Sequence, residues 1–319
     1  MKTCTQLSAF PGNSRPVVLA AGSFDGVHRG HQFVIRQAIE RAASLEGEAW
    51  VLTFHPHPSK VLRPNIAYPL LTNEDEKRRR IHDLHPHGLL ELGFTDELAS
   101  QQPEEFIRGL VENIPSLLHV VVGVDWRFGR GAAGNAKLLT QLGEELGFEV
   151  LVVPLVEWNE APISSTRIRK GIADGHFEAV TEMMGRHYEL QGMVVRGRQA
   201  GRRLGYPTAN IVPRHGVLPP HGVYAVICNM SDLERIGAGY YGHRSARPDR
   251  DGEYFFEVYL FDFSDDLYGK SITINLVSFI RPDRYFDDEV ELQRQIKADT
   301  EAVKLALNQQ GHGIERTTI

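Results

Sequence analysis

Residues 22–32 read GSFDGVHRGHQ, with His28 and His31 three positions apart and glycines at Gly22, Gly26 and Gly30. Two imidazoles at that spacing share one helix face when a helix begins between them. Glycines let a phosphate approach the backbone, and a helix start adds free N–H groups and the positive end of a dipole. An imidazole there can donate to phosphate oxygens as charge builds up during displacement at phosphorus. That is the chemistry of nucleotidyl transfer, in which an acceptor attacks the α-phosphate of ATP and pyrophosphate leaves. A glycine-rich turn with exposed histidines would carry the same letters.

A second segment points the same way. In ISSTRIRKGIADG (163–175), Ser164, Ser165 and Thr166 can cap a helix, while Arg167 and Arg169 add positive charge. A hydroxyl-rich helix start with arginine suits β- and γ-phosphates; a plain cap beside a surface arginine pair is the bland alternative.

The elements that must position these residues follow from periodicity. PVVLAAG, AWVLTF, LLELGF, LHVVVGV and FEVLVVPLV read as short apolar strands. Between them run helical patterns: HQFVIRQAIERAASLEG, a helix opening at Asn73 with Glu76 in capping-box spacing, one opening at Pro103, and NAKLLTQLGEELG. Apolar strands alternating with helices predict a parallel sheet covered on both faces, and GSFDGVHRGHQ falls beyond the carboxyl end of its first strand, where such sheets bind ligands. The run Lys77-Arg78-Arg79-Arg80 is read as a solvated helix face.

From Tyr188 the pattern changes. ELQGMVVRG, GVYAVICNM, EYFFEVYLFDF and SITINLVSFI follow one another with turns between them, and helical spacing returns only after Phe286. An antiparallel unit, a small barrel with a C-terminal helix, is expected. The domains are drawn as 1–185 and 186–319.

Within the second domain, RGRQAGRRLGYPTANI (196–211) spaces Gly197, Gly201 and Gly205 in a loop able to wrap phosphates. Pro207 fixes the turn before Thr208 and Asn210, whose hydroxyl and amide oxygens are hard ligands suited to a magnesium held mainly by ATP. No GxxxxGK[ST] is present, which excludes a P-loop kinase. Glu257 alternates onto a face with Phe255, Tyr259 and Phe261; a carboxylate among aromatic rings tends towards a raised pKa, useful in a general base. A strand-edge glutamate pointing to solvent fits the same pattern.

Composition sets bounds. The chain has 319 residues, enough for two domains, and a formal net charge of −6, against a broad nucleic-acid footprint. Two cysteines, Cys4 and Cys228, build neither a disulfide framework nor a zinc site. No stretch has the length of a signal peptide core or a membrane span, so a soluble, cytoplasmic monomer or weak homo-oligomer is expected, with no nucleic-acid or membrane partner.

The N-terminal half resembles the FAD synthetase module of bacterial bifunctional riboflavin kinase/FAD synthetases, through GSFDGVHRGH, TFHPHP (53–58), VGVDWRFG with Gly134, and ISSTRIR. The resemblance implies a Rossmann-like α/β nucleotidyltransferase of the HxGH type that joins AMP to FMN. It places ATP at Gly22, Ser23, Phe24, Asp25, His28, His31, Ser164, Ser165, Thr166 and Arg167, and FMN near His57 and Asp125. LGYPTANI, LPPHGVYAV, EVYLFDFSDDLYGK and FIRPDRYFDD resemble the riboflavin kinase module of the same family. That match implies a small antiparallel barrel in which Thr208 and Asn210 hold Mg-ATP and Glu257 activates the ribityl 5′-hydroxyl. Riboflavin, FMN and ATP are the implied substrates, and FMN and FAD the products.

Two departures stand out. His55 replaces the family's usual glutamate before Pro56-His57-Pro58, which implies altered local polarity. In the stretch 238–247 the family's ANIGxRPTF becomes AGYYGHRSAR: Gly242 and Arg244 remain, the asparagine is Tyr240, and Ser245-Ala246-Arg247 replaces Pro-Thr-Phe. Tyr240 and Tyr241 could stack on an isoalloxazine ring or fill the site. An FAD synthetase whose kinase module binds flavin without turnover, or a flavin-storing protein, is therefore the alternative. Two further readings stand beside these. GRGAAG (129–134) formally fits a dinucleotide GxGxxG, but Asp125 to Phe128 separate it from its strand and no acid ends the next strand at the right distance. His55, His57, His82, His85 and His87 invite a transition-metal site, against which their proline-rich loop context argues.

Overall fold

The computed structural model of the protein describes residues 1–12, 14–196, 205–213, 216–230, 233–243, 254–286 and 288–312. The chain separates into two compact units, Met1–Ser165 and Thr166–Ile319.

In the first unit the strands are β1 (Lys2–Cys4), β2 (Val17–Ala21), β3 (Glu48–His55), β4 (Gly88–Gly93), β5 (Leu117–Gly123) and β6 (Glu149–Val153). They form a parallel sheet in the order β1-β4-β3-β2-β5-β6. The helices between them are α1 (Arg29–Ser44), α2 (Pro58–Leu62), α3 (Glu74–His82), α4 (Asp96–Ser100), α5 (Pro103–Asn113) and α6 (Ala136–Leu146). Strand alternation divides the core between the two faces of the sheet. Val17, Leu19 and Ala21 pack with Phe106, Leu110, Leu139 and Leu142 on one face; Val18 and Ala20 pack with Ile35, Ala38, Ala42 and Ile81 on the other. Caps fix the helix starts: the Asn73 side chain accepts from the Glu76 N–H at 2.7 Å, and Asn135 accepts from Leu138 N–H at 3.0 Å. The expected sheet and its covering helices are present. Two expectations change. β6 is an edge strand, and Leu151 and Val152 on it are exposed rather than buried. The basic run is not a uniformly solvated face, because Lys77 turns inward and is buried. A hairpin of β7 (Glu157–Trp158) and β8 (Ala161–Pro162) closes the unit.

The second unit begins with α7 (Ser165–Ala173, whose first residue ends the first unit) and α8 (Phe177–Met184). Its strands are β9 (Tyr188–Val195), β10 (Ala209–Pro213), β11 (Gly222–Met230), β12 (Leu233–His243), β13 (Tyr254–Leu260) and β14 (Ser271–Pro282). They close into an antiparallel barrel in the order β10-β13-β12-β11-β14-β9. The barrel has β10 and β12 in addition to the four strands expected from sequence. Tyr188, Tyr224, Phe256, Ile274 and Leu276 are fully buried. On the alternate face, Val223, Ala225, Ile227 and Val277 pack against Val303 and Leu307 of the C-terminal helix α9 (Glu289–Gln309).

Candidate functional sites

The first candidate site lies where β2 gives way to α1. His28 is the N-cap of α1 and is buried, and its Nδ1 accepts from the His31 N–H at 3.4 Å. A ring nitrogen that accepts cannot carry the proton, so in the neutral ring the proton sits on Nε2, where His28 can donate. The His28 and His31 rings stack at 3.6 Å and 19°. Phe24, with φ at 51°, meets the His31 ring edge-on at 5.3 Å. A Cβ on Gly30 would lie 3.2 Å from the His28 ring, so the glycine between the histidines makes room for the stack.

Burial, and behind it the neighbouring His28 and His57, hold the His31 pKa well below the ordinary histidine value. Its Nδ1 is shielded and has no hydrogen-bond partner among the described residues. A neutral imidazole beside a second one, at the positive end of a helix, is suited to donating to phosphate oxygens and not to ion pairing.

Other segments converge on this point. The Asp25 carboxylate accepts from the Leu71 and Thr72 N–H groups at 2.9 and 3.3 Å, and the Thr72 hydroxyl accepts from the Gly26 N–H at 3.1 Å. Thus Asp25, expected among nucleotide contacts, clasps the approach to α3. The Ser165 hydroxyl donates to the Asp25 carbonyl at 3.0 Å, which ties the ISST segment to GSFDG as the paired motifs imply. Ser23 contributes its carbonyl, which accepts from the Thr53 hydroxyl at 3.1 Å. Gly22 is buried, and its N–H donates to the Leu52 carbonyl of β3 at 3.1 Å. Ser164 is half-buried, while Thr166 and Arg167 stand in the first turn of α7, where the chain enters the second unit.

His57 caps α2 by accepting from the Ser59 N–H at 3.2 Å, contacts the Ser59 hydroxyl, and stacks with Tyr68 at 5.7 Å and 17°. His55 faces Glu74, with Nδ1 3.1 Å from Oε1, and a cis peptide joins it to Pro56. Its substitution therefore brings a carboxylate partner from α3 next to the motif. Asp125 is exposed after β5; Trp126 beside it stacks on Phe128 at 4.6 Å. Phe128 pairs with Gly134, so GRGAAG forms a closed turn after β5 and does not open a helix from the strand, as a dinucleotide fingerprint requires.

The second candidate site lies on the α9-facing side of the barrel. Glu257 on β13 sits directly opposite Asn210 on β10 and opposite Tyr240 on β12. The three therefore share one face of three adjacent strands. Thr208 donates from its hydroxyl to Glu257 Oε2 at 3.4 Å. Glu257 is half-buried, Asn210 buried, and Pro207 exposed just before β10, preceded by Gly205 at φ 86°. Gly197 and Gly201 lie outside the described residues, as does the departing stretch from Arg244 onward.

The two tyrosines of that stretch behave differently. Tyr241 is buried and stacks on Phe256 at 5.6 Å and 21°, so it belongs to the barrel core and not to a flavin platform. Tyr240 lies on the Glu257 face. Its ring lies along its own strand over Gly242, where a Cβ would come 2.3 Å from the Tyr240 hydroxyl. Burial raises the Tyr240 pKa, and the Asp283 carboxylate that accepts its hydrogen bond raises it further, so the phenol stays protonated. The sequence marks Tyr240 as a departure that could stack on a flavin ring or fill the site, and gives no sign of Asp283 as its partner. Lys77 was also missed, although it stands one turn before Ile81 on the buried stripe of α3.

Hard oxygens of Thr208, Asn210 and Glu257 converge here, a donor set that fits magnesium carried by a nucleotide. Among the described residues no group of three or more His, Cys, Asp or Glu side chains could hold a metal ion. No helix among the described residues is long and apolar enough to cross a membrane.

Comparison with known proteins gives both halves a counterpart. Residues 11–167 match the FAD synthetase family and residues 184–307 the riboflavin kinase family. Over 93% of this chain and 95% of its own length, a bifunctional riboflavin kinase/FMN adenylyltransferase of Buchnera aphidicola is 34% identical. The Bacillus subtilis protein of the same description is 34% identical over 91% of this chain and 93% of its own. A solved Streptococcus pneumoniae structure, described as a macrolide-efflux protein, superposes with a TM-score of 0.86 at 31% identity, covering 95% of this chain and 99% of that one.

Proposed function

The chain belongs to the bifunctional riboflavin kinase/FMN adenylyltransferase family, and from that premise we propose how its residues divide the work. The enzyme phosphorylates riboflavin to FMN with ATP, then adenylylates FMN to FAD and releases pyrophosphate.

In the N-terminal module, between about 1 and 185, His28 donates through Nε2 to an α-phosphate oxygen of ATP while the FMN phosphate attacks. His31, kept neutral, supports the same phosphate. Gly22, Ser23, Phe24 and Asp25 shape the nucleotide side, and Ser164, Ser165, Thr166 and Arg167 hold the outgoing pyrophosphate. His57 and Asp125 border the FMN. The observation that carries this reading is the stacked His28–His31 pair at the start of α1, with Ser165 bound to Asp25 and His57 within electrostatic reach.

In the C-terminal module, from about 186 to 319, Glu257 takes the proton of the ribityl 5′-hydroxyl as it attacks the γ-phosphate. Gly197, Gly205 and Pro207 contact the nucleotide. Thr208 and Asn210 would hold Mg²⁺, which neutralises nucleotide phosphate charge when bound. The register of Asn210, Glu257 and Tyr240 supports an active kinase over a silent flavin-binding module. The protein works in the cytoplasm as a monomer or weak homo-oligomer, without a nucleic-acid or membrane partner.

Labelled ATP tests the division. Label at the γ-phosphate should enter FMN and FAD from riboflavin, and label at the α-phosphate should enter FAD alone. Label from the α-position in FMN, or no label in flavin from either, would overturn the assignment.

A further inference from the structure

Lys77 is a buried lysine on α3 that the chemistry above does not use. Its Nζ donates to the Phe54 carbonyl at 2.9 Å and to the Thr53 hydroxyl at 3.4 Å. Thr53 in turn donates to the Ser23 carbonyl at 3.1 Å. The ammonium group thus binds the end of β3, which runs into TFHPHP, and through Thr53 that end is tied to Ser23, just past β2 in GSFDGVHRGH. Asp25, bound to Leu71 and Thr72 N–H groups, draws the chain leading to α3 onto the same place. The neighbouring Arg78 does not share this role, because it pairs with the buried Glu91 of β4.

A buried ammonium is costly unless its donors are satisfied. The carboxylates of Glu91, Asp25 and Glu74 offset part of that cost, and the hydrogen bonds direct the charge onto the strand that leads into the flavin segment. Both acceptors of Lys77 lie at the end of β3, which leads into the flavin segment, and one of them, the Thr53 hydroxyl, is bound in turn to Ser23 of the nucleotide segment.

We propose that Lys77 is a positioning residue for adenylyl transfer: it sets the spacing between the segment carrying His28 and His31 and the segment carrying His57, and so between the α-phosphate and the attacking FMN phosphate. The inference rests on the N-terminal module being the adenylyltransferase. In-line displacement depends on such spacing, and a misplacement of about 1 Å costs about 10²-fold in rate.

Charge state gives a readout that packing alone would not move. Burial holds the Lys77 pKa below the ordinary lysine value, while Glu91, Asp25 and Glu74 oppose that shift and Arg78 adds to it. Adenylylation should therefore fall at alkaline pH as Lys77 loses its proton, earlier than a solvated lysine would allow.

The test is Lys77→Met and Thr53→Val in the full chain, with FMN adenylylation measured across pH and riboflavin phosphorylation as the internal control. Lys77→Met should lose about 10²-fold in kcat/KM for FMN, lack the alkaline limb, and keep its kinase rate. Thr53→Val should lose up to about tenfold, the scale of one hydrogen bond. Wild-type adenylylation and an unchanged pH profile in Lys77→Met would overturn the proposal. If Lys77→Met fails to fold, shown by loss of both activities, Thr53→Val decides, and unchanged FMN kinetics there overturn it. A wild-type protein that makes no FAD from FMN would instead sink the functional reading itself.

Discussion

The two sites are built in opposite ways. The proposed adenylyltransferase site stands at strand ends, where backbone turns, a helix start and three separate segments meet around His28 and His31. The proposed kinase site stands on a strand face, where hydrogen-bonded register alone brings Asn210, Glu257 and Tyr240 side by side. At strand ends a changed residue can find a partner on a neighbouring segment, as His55 does by facing Glu74 of α3. A site on a strand face has no such freedom. The replacement at Tyr240 must lie over Gly242 and find its own partner in Asp283.

The largest effect should separate the two sites outright. Glu257→Gln removes the proposed general base and should slow riboflavin phosphorylation by about 10²–10⁴-fold, leaving FMN adenylylation intact in the same preparation. Next comes His28→Ala, which removes one proposed donor to the transferring phosphate. FAD formation from FMN should fall about 10²–10³-fold while FMN formation persists. Loss of both activities in either variant would mean that the sites are not independent.

A smaller effect tests the strand-face claim. Gly242→Ala puts a methyl group where the Tyr240 hydroxyl lies. The kinase rate should drop and be restored by the double variant Gly242→Ala with Tyr240→Asn, as steady-state kinetics of phosphorylation would reveal. Equal rates in wild type and Gly242→Ala would remove Tyr240 from the account.

The smallest effect concerns pH. His31 has a folded pKa below its unfolded one, so the native state binds fewer protons than the unfolded chain. Stability from this group is present above about pH 6.5 and is lost as pH falls below that value towards the folded pKa. Thermal melts at pH 7.5 and 5.5 should show a larger drop for the wild type than for His31→Gln; equal drops would contradict a buried neutral His31.

Much of this was legible in sequence because the signals were local. Gly22 stops an apolar strand, and the spacing of Phe33, Ile35, Ala38 and Ala42 opens a helix, so the HxGH turn placed itself. β12 was not legible. Its Gly237 and Gly239 lower strand propensity, yet they are there because Tyr259 and Phe256 on β13 press against them. β10 was hidden by its shortness and by Pro207 and Pro213 around it. Lys77 read as solvated because it heads a basic run, and only the folded sheet supplies Thr53 and the Phe54 carbonyl as its partners. In each case the missing information was a neighbour distant in sequence.

The central claim is that both sites work in one chain. The direct measurement incubates the purified protein with Mg-ATP and either riboflavin or FMN, then separates the flavins by chromatography. FAD should appear in both reactions, with FMN as the intermediate in the first. FAD from FMN alone would contradict the account, since it would show that Tyr240 and the residues after it have silenced the kinase.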